Sequence, residues 1–320
     1  MSNTFDEATN MAFFTSQLEN LDRNAHKPLT SITYGRDIKL RGGIQMSDEY
    51  TSFMRSDFGA TGSVSLTGIP WISQDTGAFP TVSTTSEIVR TPLHLAGTEI
   101  TYTSLELEKA QRLGVNLEAD KVNAMITHYQ QSIDAMVYVG SKDKDTSEHK
   151  CRGLLNSQII KTTNTASSKH FDAMTPEEII KEINGLLEMV WEQTAYTLMP
   201  NRVIMPPAIL AQIAHTPMGS NADKTILDVL KKQCIATTIR GVAPEFVSTP
   251  YAAHAGADTH GRIIAYNDDP NYVRYAMVPI RREKVTVEGI RYRAPYVYKL
   301  GEVEWIYPET AAYLDKVTGA

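Results

Sequence analysis

Three stretches of the chain carry residue types that could do chemistry. The run Pro217-Met-Gly-Ser-Asn-Ala-Asp-Lys-Thr225 ends like a phosphate-binding loop. Such a loop needs glycine just before its lysine, so that backbone N–H groups can close around phosphate. Here Asp223 holds that place and Met218 replaces the first glycine, and a carboxylate in a phosphate cradle repels its ligand. Lys224-Thr225 therefore reads as an ordinary helix start. The run His254-Ala-Gly-Ala-Asp-Thr-His260 sets two imidazoles and a carboxylate close together, ligand types that zinc takes. Its Gly/Ala-rich sequence has no helical or strand spacing to make His254, Asp258 and His260 converge, and a solvated loop is the simpler reading. A metal-dependent hydrolase using these three residues stands as an alternative of a different class. The third stretch, Arg274 to Lys299, holds seven Lys or Arg against Glu283 and Glu288, with Tyr272, Tyr275, Tyr292, Tyr296 and Tyr298 interleaved. That pattern fits a nucleic-acid surface, or β-strands whose polar face meets an acidic neighbour.

No catalytic pattern emerges elsewhere. There is no Gly-x-Ser-x-Gly elbow, Cys-x-x-Cys, His-Glu-x-x-His or Gly-x-Gly-x-x-Gly. The two cysteines, Cys151 and Cys234, have no histidine at motif spacing and read as packed or loop thiols. Two isolated thiols fit a reducing compartment and no disulfide scaffold. A net charge of −6 argues against a dedicated nucleic-acid reader. The N-terminus lacks the basic and apolar regions of a signal peptide, and no apolar run approaches membrane-spanning length. The expectation is a protein synthesised in a cytoplasm, with no membrane partner, no cofactor, no metal and no enzymatic activity.

The elements that would position any site follow from periodicity. Phe5, Ala8, Met11, Ala12, Phe14, Leu18 and Leu21 recur at helical spacing, and Lys27-Pro28 stops that helix. Residues Ser31 to Leu40 look extended and end at Gly42-Gly43. Residues 46 to 103 are dense in Ser, Thr and Gly, with Val64, Leu66, Ile88, Val89, Leu93, Leu95 and Ile100 supplying strand propensity. Gln74-Asp-Thr-Gly77 and Pro80 mark a turn between an outgoing and a returning strand. So much polar extended chain suits a projecting hairpin better than a buried sheet. Between Gly42 and Glu108 there is no lysine, and the only cations are Arg55 and Arg90.

A long amphipathic helix follows. Ser104 can cap a short first piece that breaks near Gly114. Asn116 then caps a piece from Leu117 to Val139, roughly 35 Å long at about 1.5 Å per residue. Its apolar face comprises Val122, Met125, Ile126, Tyr129, Ile133, Met136 and Val137, and Gly140 ends it. After a charged loop and Gly153-Leu-Leu-Asn156, Thr175-Pro-Glu-Glu178 signals a capping box with Pro at the first helical position. Helices and strands then alternate to Val278, and Glu283 to Tyr307 is strand-rich with Gly289 and Gly301 as turns. The fold class read from this order is α+β.

The order of parts resembles the major capsid proteins of tailed bacteriophages with the Hong Kong 97-like fold. The local matches are Tyr34-Gly-Arg-Asp-Ile38, Gly153-Leu-Leu-Asn156, Arg202-Val-Ile-Met-Pro-Pro207 and Arg293-Ala-Pro-Tyr296. The resemblance implies an N-terminal arm at 1–45 and an extended β-hairpin, the E-loop, at 46–103. It implies a P-domain at 104–160 and 271–320 built on the spine helix, and an A-domain at 161–270. It further implies an icosahedral shell, built from hexamers and pentamers of the chain and enclosing a phage genome in the virion. The partners implied are a separate scaffolding protein, a portal protein, a decoration protein on the outside, and packaged double-stranded DNA held by non-specific contact. Some relatives carry an N-terminal assembly domain that a protease removes. Arm and hairpin use all residues before the spine here, so no fused scaffold domain and no maturation cleavage are expected. Others crosslink through an E-loop lysine, a nucleophile absent from this hairpin, so the contacts are expected to be noncovalent. Arg36, Asp37, Arg55, Trp71, Asp75, Phe79 and Arg90 are the expected inter-subunit contact residues. An encapsulin-like compartment shares the fold class and is the alternative shell.

Overall fold

Two five-stranded sheets and one two-stranded ribbon organise the described residues. The computed structural model describes residues 31–61, 81–113, 117–141, 151–165, 169–218, 224–315 and 317. The helix expected over residues 5–21 and the hairpin turn with Trp71, Asp75 and Phe79 lie outside the described residues. In chain order the elements begin with a one-turn helix α1 (Tyr34–Asp37), β1 (Leu40–Arg41), β2 (Tyr50–Thr61), β3 (Thr81–Pro92) and β4 (His94–Thr103). Helix α2 (Ser104–Leu113), the spine helix α3 (Leu117–Val139), β5 (Lys161–Asn164) and α4 (Pro176–Gln193) follow. Next come β6 (Arg202–Met205), α5 (Pro207–His215), α6 (Ile226–Gln233), α7 (Ile235–Arg240), β7 (Glu245–Ser248) and β8 (Arg262–Tyr266). The chain closes with β9 (Val273–Arg282), β10 (Thr286–Glu288), β11 (Arg291–Trp305) and β12 (Ala311–Asp315).

The spine lies where the periodicity places it. Its buried side chains Met125, Tyr129, Ile133 and Val137 recur every four residues, one stripe along the helix. Ile126, expected on that face, is exposed instead. The stripe packs on the sheet of β1, β9, β11, β10 and β4. Tyr129 meets Tyr298 of β11 edge to face at 4.8 Å, and its hydroxyl accepts the Ile280 N–H at 3.2 Å. Within this sheet, β4 and β11 run antiparallel from Thr103 opposite Arg291 to His94 opposite Leu300.

The spine's C-terminal end explains the Gly153-Leu-Leu-Asn156 run. Helix ends leave carbonyls without partners. The Leu154 N–H donates to Val137 O at 2.7 Å, Leu155 N–H to Tyr138 O at 2.9 Å, and the Asn156 side-chain amide to Val139 O. Asn156 Oδ1 in turn accepts the Gly153 N–H at 2.6 Å. Glycine is required at Gly140, whose φ is +73°, and at Gly153, where a Cβ would meet the Tyr138 carbonyl.

The second sheet has the order β5-β12-β8-β6-β7 and is covered on both faces. That is why its inner strands β6, β8 and β12 read as near-continuous apolar runs. Ile204, Ile264, Tyr266, Ala311 and Tyr313 point to the core shared with the spine. Their neighbours Val203, Met205, Ile263, Ala265, Ala312 and Leu314 point to a separate core under α4, α5 and α6. Helix α4 starts at the expected capping box, with Thr175 Oγ1 accepting the Glu178 N–H and Glu178 accepting the Thr175 N–H. Thr225 caps α6 in the same way with Asp228, so Lys224-Thr225 does open an ordinary helix.

Several readings change. Ser31 to Leu40 is not uniformly extended, because the spine residue Asp134 caps the turn α1 from across the fold. The cap of α2 is Thr103, not Ser104, since Thr103 and Glu106 form the reciprocal pair at 3.2 Å. Gly301 lies within β11 at a register shift and not in a turn; a Cβ there would meet Leu93 and the Ala276 carbonyl at 3.0 Å. Residues 311–315, grouped by sequence with the P-domain at 271–320, form a central strand of the second sheet, between β5 and β8. Replacing Asn156 with Ala leaves the Val139 carbonyl and the Gly153 N–H without partners. The expected cost is about 1–3 kcal/mol, read as a lower Tm of the subunit.

Candidate functional site

Among the described residues, the chemistry-bearing side chains lie apart from one another or pair within the fold. Among the described residues no group of three His, Cys, Asp or Glu is placed to hold a metal ion. His254 is exposed, with Nδ1 3.3 Å from Thr259 O, and His260 faces the ring of His170 at 5.1 Å. Burial pushes the Cys151 thiol up to about 11, which keeps it protonated at neutral pH. The basic stretch 274–299 is largely paired. Arg274 meets Glu304 at 2.7 Å, Arg281 meets Glu283, Arg293 meets Glu288 at 3.1 Å, and Lys299 Nζ donates to Asp48 O at 2.8 Å.

Two buried carboxylates instead tie α1 and the β2–β3 ribbon to the two sheets. The first is Asp37, whose side chain is 0% exposed. Arg36 clamps it through Nε and Nη2 at 2.7 and 2.8 Å, and Arg202 Nη1 approaches at 3.1 Å. The Tyr138 hydroxyl of the spine donates to its other oxygen, and the Tyr266 hydroxyl donates to its backbone carbonyl at 2.6 Å. Arg202 continues to Glu245 at 2.6 Å and Asp268 at 3.1 Å. One carboxylate thus joins the arm's root, the spine and the second sheet. The bonding raises the Arg36 guanidinium further above its usual range, and burial does the same to the Tyr138 hydroxyl, so neither titrates near neutrality. Beside them, Asp134 Oδ1 accepts the Thr33 and Tyr34 N–H groups, both at 2.8 Å.

The second is Glu304, with a side chain also 0% exposed. Arg41 and Arg274 each reach it at 2.7 Å, and the Thr51 hydroxyl donates at 2.6 Å. Arg41 also donates to Ser52 O at 3.0 Å. Arg55 Nη2 donates to Trp305 O and Ile306 O at 3.3 and 3.1 Å. The inward face of the hairpin, with Thr51, Phe53 and Arg55, is thereby fixed to β11 and the loop after it.

Among the described residues the outward face has no such partner. β2 and β3 pair from Tyr50 opposite Pro92 to Thr61 opposite Thr81, which puts Met54 across from Ile88 and Ser52 across from Arg90. Side chains alternate along a strand, so Tyr50, Ser52 and Met54 share one face with Arg90 and Ile88. Tyr50, Met54 and Ile88 are 61%, 64% and 53% exposed, and Arg90 is exposed with no ion-pair partner among the described residues.

A scan against protein-family models matches residues 69–317 to the family described as major capsid protein. The chain belongs to that family. No curated protein matches the sequence. Among solved structures, the shell protein is similar to the capsid of Myoviridae phage XM1, with a TM-score of 0.76 at 18% identity, covering 94% of this chain and 97% of that one. It is similar to the capsid of an empty GTA particle, with a TM-score of 0.61 at 11% identity, covering 93% and 94%. It is also similar to the SrpI encapsulin of Synechococcus elongatus PCC 7942, with a TM-score of 0.55 at 12% identity, covering 95% of each chain. The fold is the Hong Kong 97-like capsid fold, and the chain is a structural, shell-forming component of a virion.

Of the residues expected to meet neighbours, Trp71, Asp75 and Phe79 lie outside the described residues, and Arg90 sits on the free outward face. Arg36, Asp37 and Arg55 have their partners within their own chain. Sequence reasoning missed Asp134, Arg202 and Glu304, charged residues in apolar surroundings. Charges there are rarely buried unless paired, and that was the available signal.

Burial raises the Asp134 carboxyl above its usual range, against the lowering effect of the two N–H groups. A raised folded-state value means that this group favours folding below the ordinary carboxylate range. The contribution is lost as pH rises through the raised value. Asp134→Asn keeps the accepting oxygen and removes the buried charge. Its stability at pH 7 is expected to equal or exceed that of the native chain, with less loss of stability between pH 4 and pH 7. Asp134→Ala loses the cap and is expected to cost about 1–3 kcal/mol. Denaturant unfolding of both variants across pH checks the pair.

Proposed function

We propose that the chain builds the icosahedral shell around the genome of a tailed bacteriophage, as hexamers and pentamers held by noncovalent contacts. The observation that carries this reading is the outward hairpin face. A two-stranded ribbon is marginal in water on its own. Here one face is anchored at Glu304 and the other presents Tyr50, Met54 and Ile88 to solvent. An apolar face held rigidly in the open is suited to burial by a neighbour. In this reading the arm, E-loop, P-domain and A-domain take the roles the resemblance implies, and Trp71, Asp75, Phe79 and Arg90 remain the contact residues. Arg36, Asp37 and Arg55 act one step back, holding the projecting parts in position.

The absence of lysine between Gly42 and Glu108 supports contacts without a hairpin-lysine crosslink. A separate scaffolding protein, a portal protein, a decoration protein and double-stranded DNA held non-specifically are the proposed partners. Synthesis takes place in the host cytoplasm, and the chain has no enzymatic role. An encapsulin-like compartment is the second reading, supported by the encapsulin similarity; the family match supports the virion.

Met54→Asp and Ile88→Asp each place a charge on the exposed face. Subunit stability is expected to change by no more than about 0.5 kcal/mol, while particle yield in sedimentation falls sharply. Shells of the native chain boiled in detergent are expected to run as monomers on denaturing gels; a ladder of linked subunits would refute noncovalent assembly.

A further inference from the structure

We propose that a pocket at the C-terminal end of α4 receives Arg90 from the hairpin of a second copy of the chain. The inference rests on the hairpin being a neighbour-contact element and names the surface it meets. The pocket holds about 410 Å³ and is lined by Gln193, Thr197, Leu198, Tyr272, Tyr307 and Glu309, among others. Three features make it a site for a cation flanked by apolar groups. Tyr272 and Tyr307 form an edge-to-face pair at 5.9 Å, and aromatic faces attract guanidinium. Glu309 is exposed and has no ion-pair partner among the described residues. The pocket also lies at the end of an 18-residue helix, where the macrodipole is negative.

Two further observations mark the pocket as built and incomplete. Between its lining residues Thr194 and Thr197 the chain turns through Ala195 and Tyr196, non-glycine residues at φ of 50° and 62°, and Thr194 Oγ1 accepts the Leu198 N–H at 3.2 Å. The Gln193 side-chain amide has an Nε2 without a hydrogen-bond partner in the isolated subunit.

The hairpin supplies the complement. Arg90 is the one cation on its outward face, since Arg55 is turned inward to Trp305 O and Ile306 O. Tyr50, Met54 and Ile88 surround it with exposed apolar surface, and the pocket offers exposed Tyr307 and the partly buried Leu198 in return. Patch and pocket are different surfaces of one chain, so the contact is head-to-tail. Such contacts close into rings when the rotation allows.

The test is a charge exchange in the full chain. Arg90→Glu and Glu309→Arg should each raise the subunit concentration needed for particle formation by about tenfold or more, because like charges then face each other. Both lie on the surface, so the unfolding midpoint of the free subunit should match that of the native chain. The double variant carries the exchanged pair in every contact and should recover assembly to within about threefold of native. Single variants that assemble like the native chain, or a double variant no better than the singles, would overturn the proposal while native particles leave the shell reading standing. If the native chain itself builds no particle, the shell reading fails first.

Discussion

The Asp37–Arg202 ion pair is the contact on which the body of the subunit depends. Asp37 sits at the root of the arm, and its oxygens bind Arg36, Arg202 and the Tyr138 hydroxyl of the spine. Taking two charges out of water costs several kcal/mol per ion, and close pairing returns much of that without a clear net gain. What the arrangement supplies is direction. Arg202 is 8% exposed and also holds Glu245 and Asp268, so its guanidinium has little freedom to shift. Spine, arm root and second sheet are therefore locked at one relative orientation. For a shell subunit that orientation matters more than total stability, because small angular errors multiply over many copies.

Glu304 repeats the device at the base of the hairpin. With Arg41, Arg274 and Thr51 around it, one face of the ribbon is pinned and the other is left to solvent. The division of labour among charged residues follows. Buried carboxylates with two cationic partners set geometry inside the subunit. Arg90 and Glu309, exposed and without an ion-pair partner among the described residues, are the charges proposed to meet between copies. Apolar surface divides likewise: both faces of the second sheet are covered, while Tyr50, Met54 and Ile88 stay exposed.

Much of this architecture was legible in the sequence because local signals agreed with the global fold. The capping box at Thr175, the spine from Leu117 to Val139 and the strands Arg202–Met205 and Arg262–Tyr266 all lie where periodicity places them. The hairpin was legible from its Ser/Thr-rich, extended composition. What was not legible depends on partners far apart along the chain. Asp37 looks like a surface charge in a short polar motif, yet its partners Tyr138 and Arg202 lie 101 and 165 residues away. The same is true of α1, capped by Asp134, and of β12, whose neighbours β5 and β8 come much earlier in the chain. Gly301 misled as a turn because a close approach of strands demands glycine for the same steric reason that a turn does.

Electron microscopy of the purified chain, alone and expressed with the proposed scaffolding protein, tests the central claim most directly. The account predicts closed, thin-walled particles of uniform size, in which the outward hairpin face with Tyr50, Met54 and Ile88 is covered by a neighbouring copy. Subunits that stay dispersed under both conditions, or particles in which that face remains open to solvent, would contradict it.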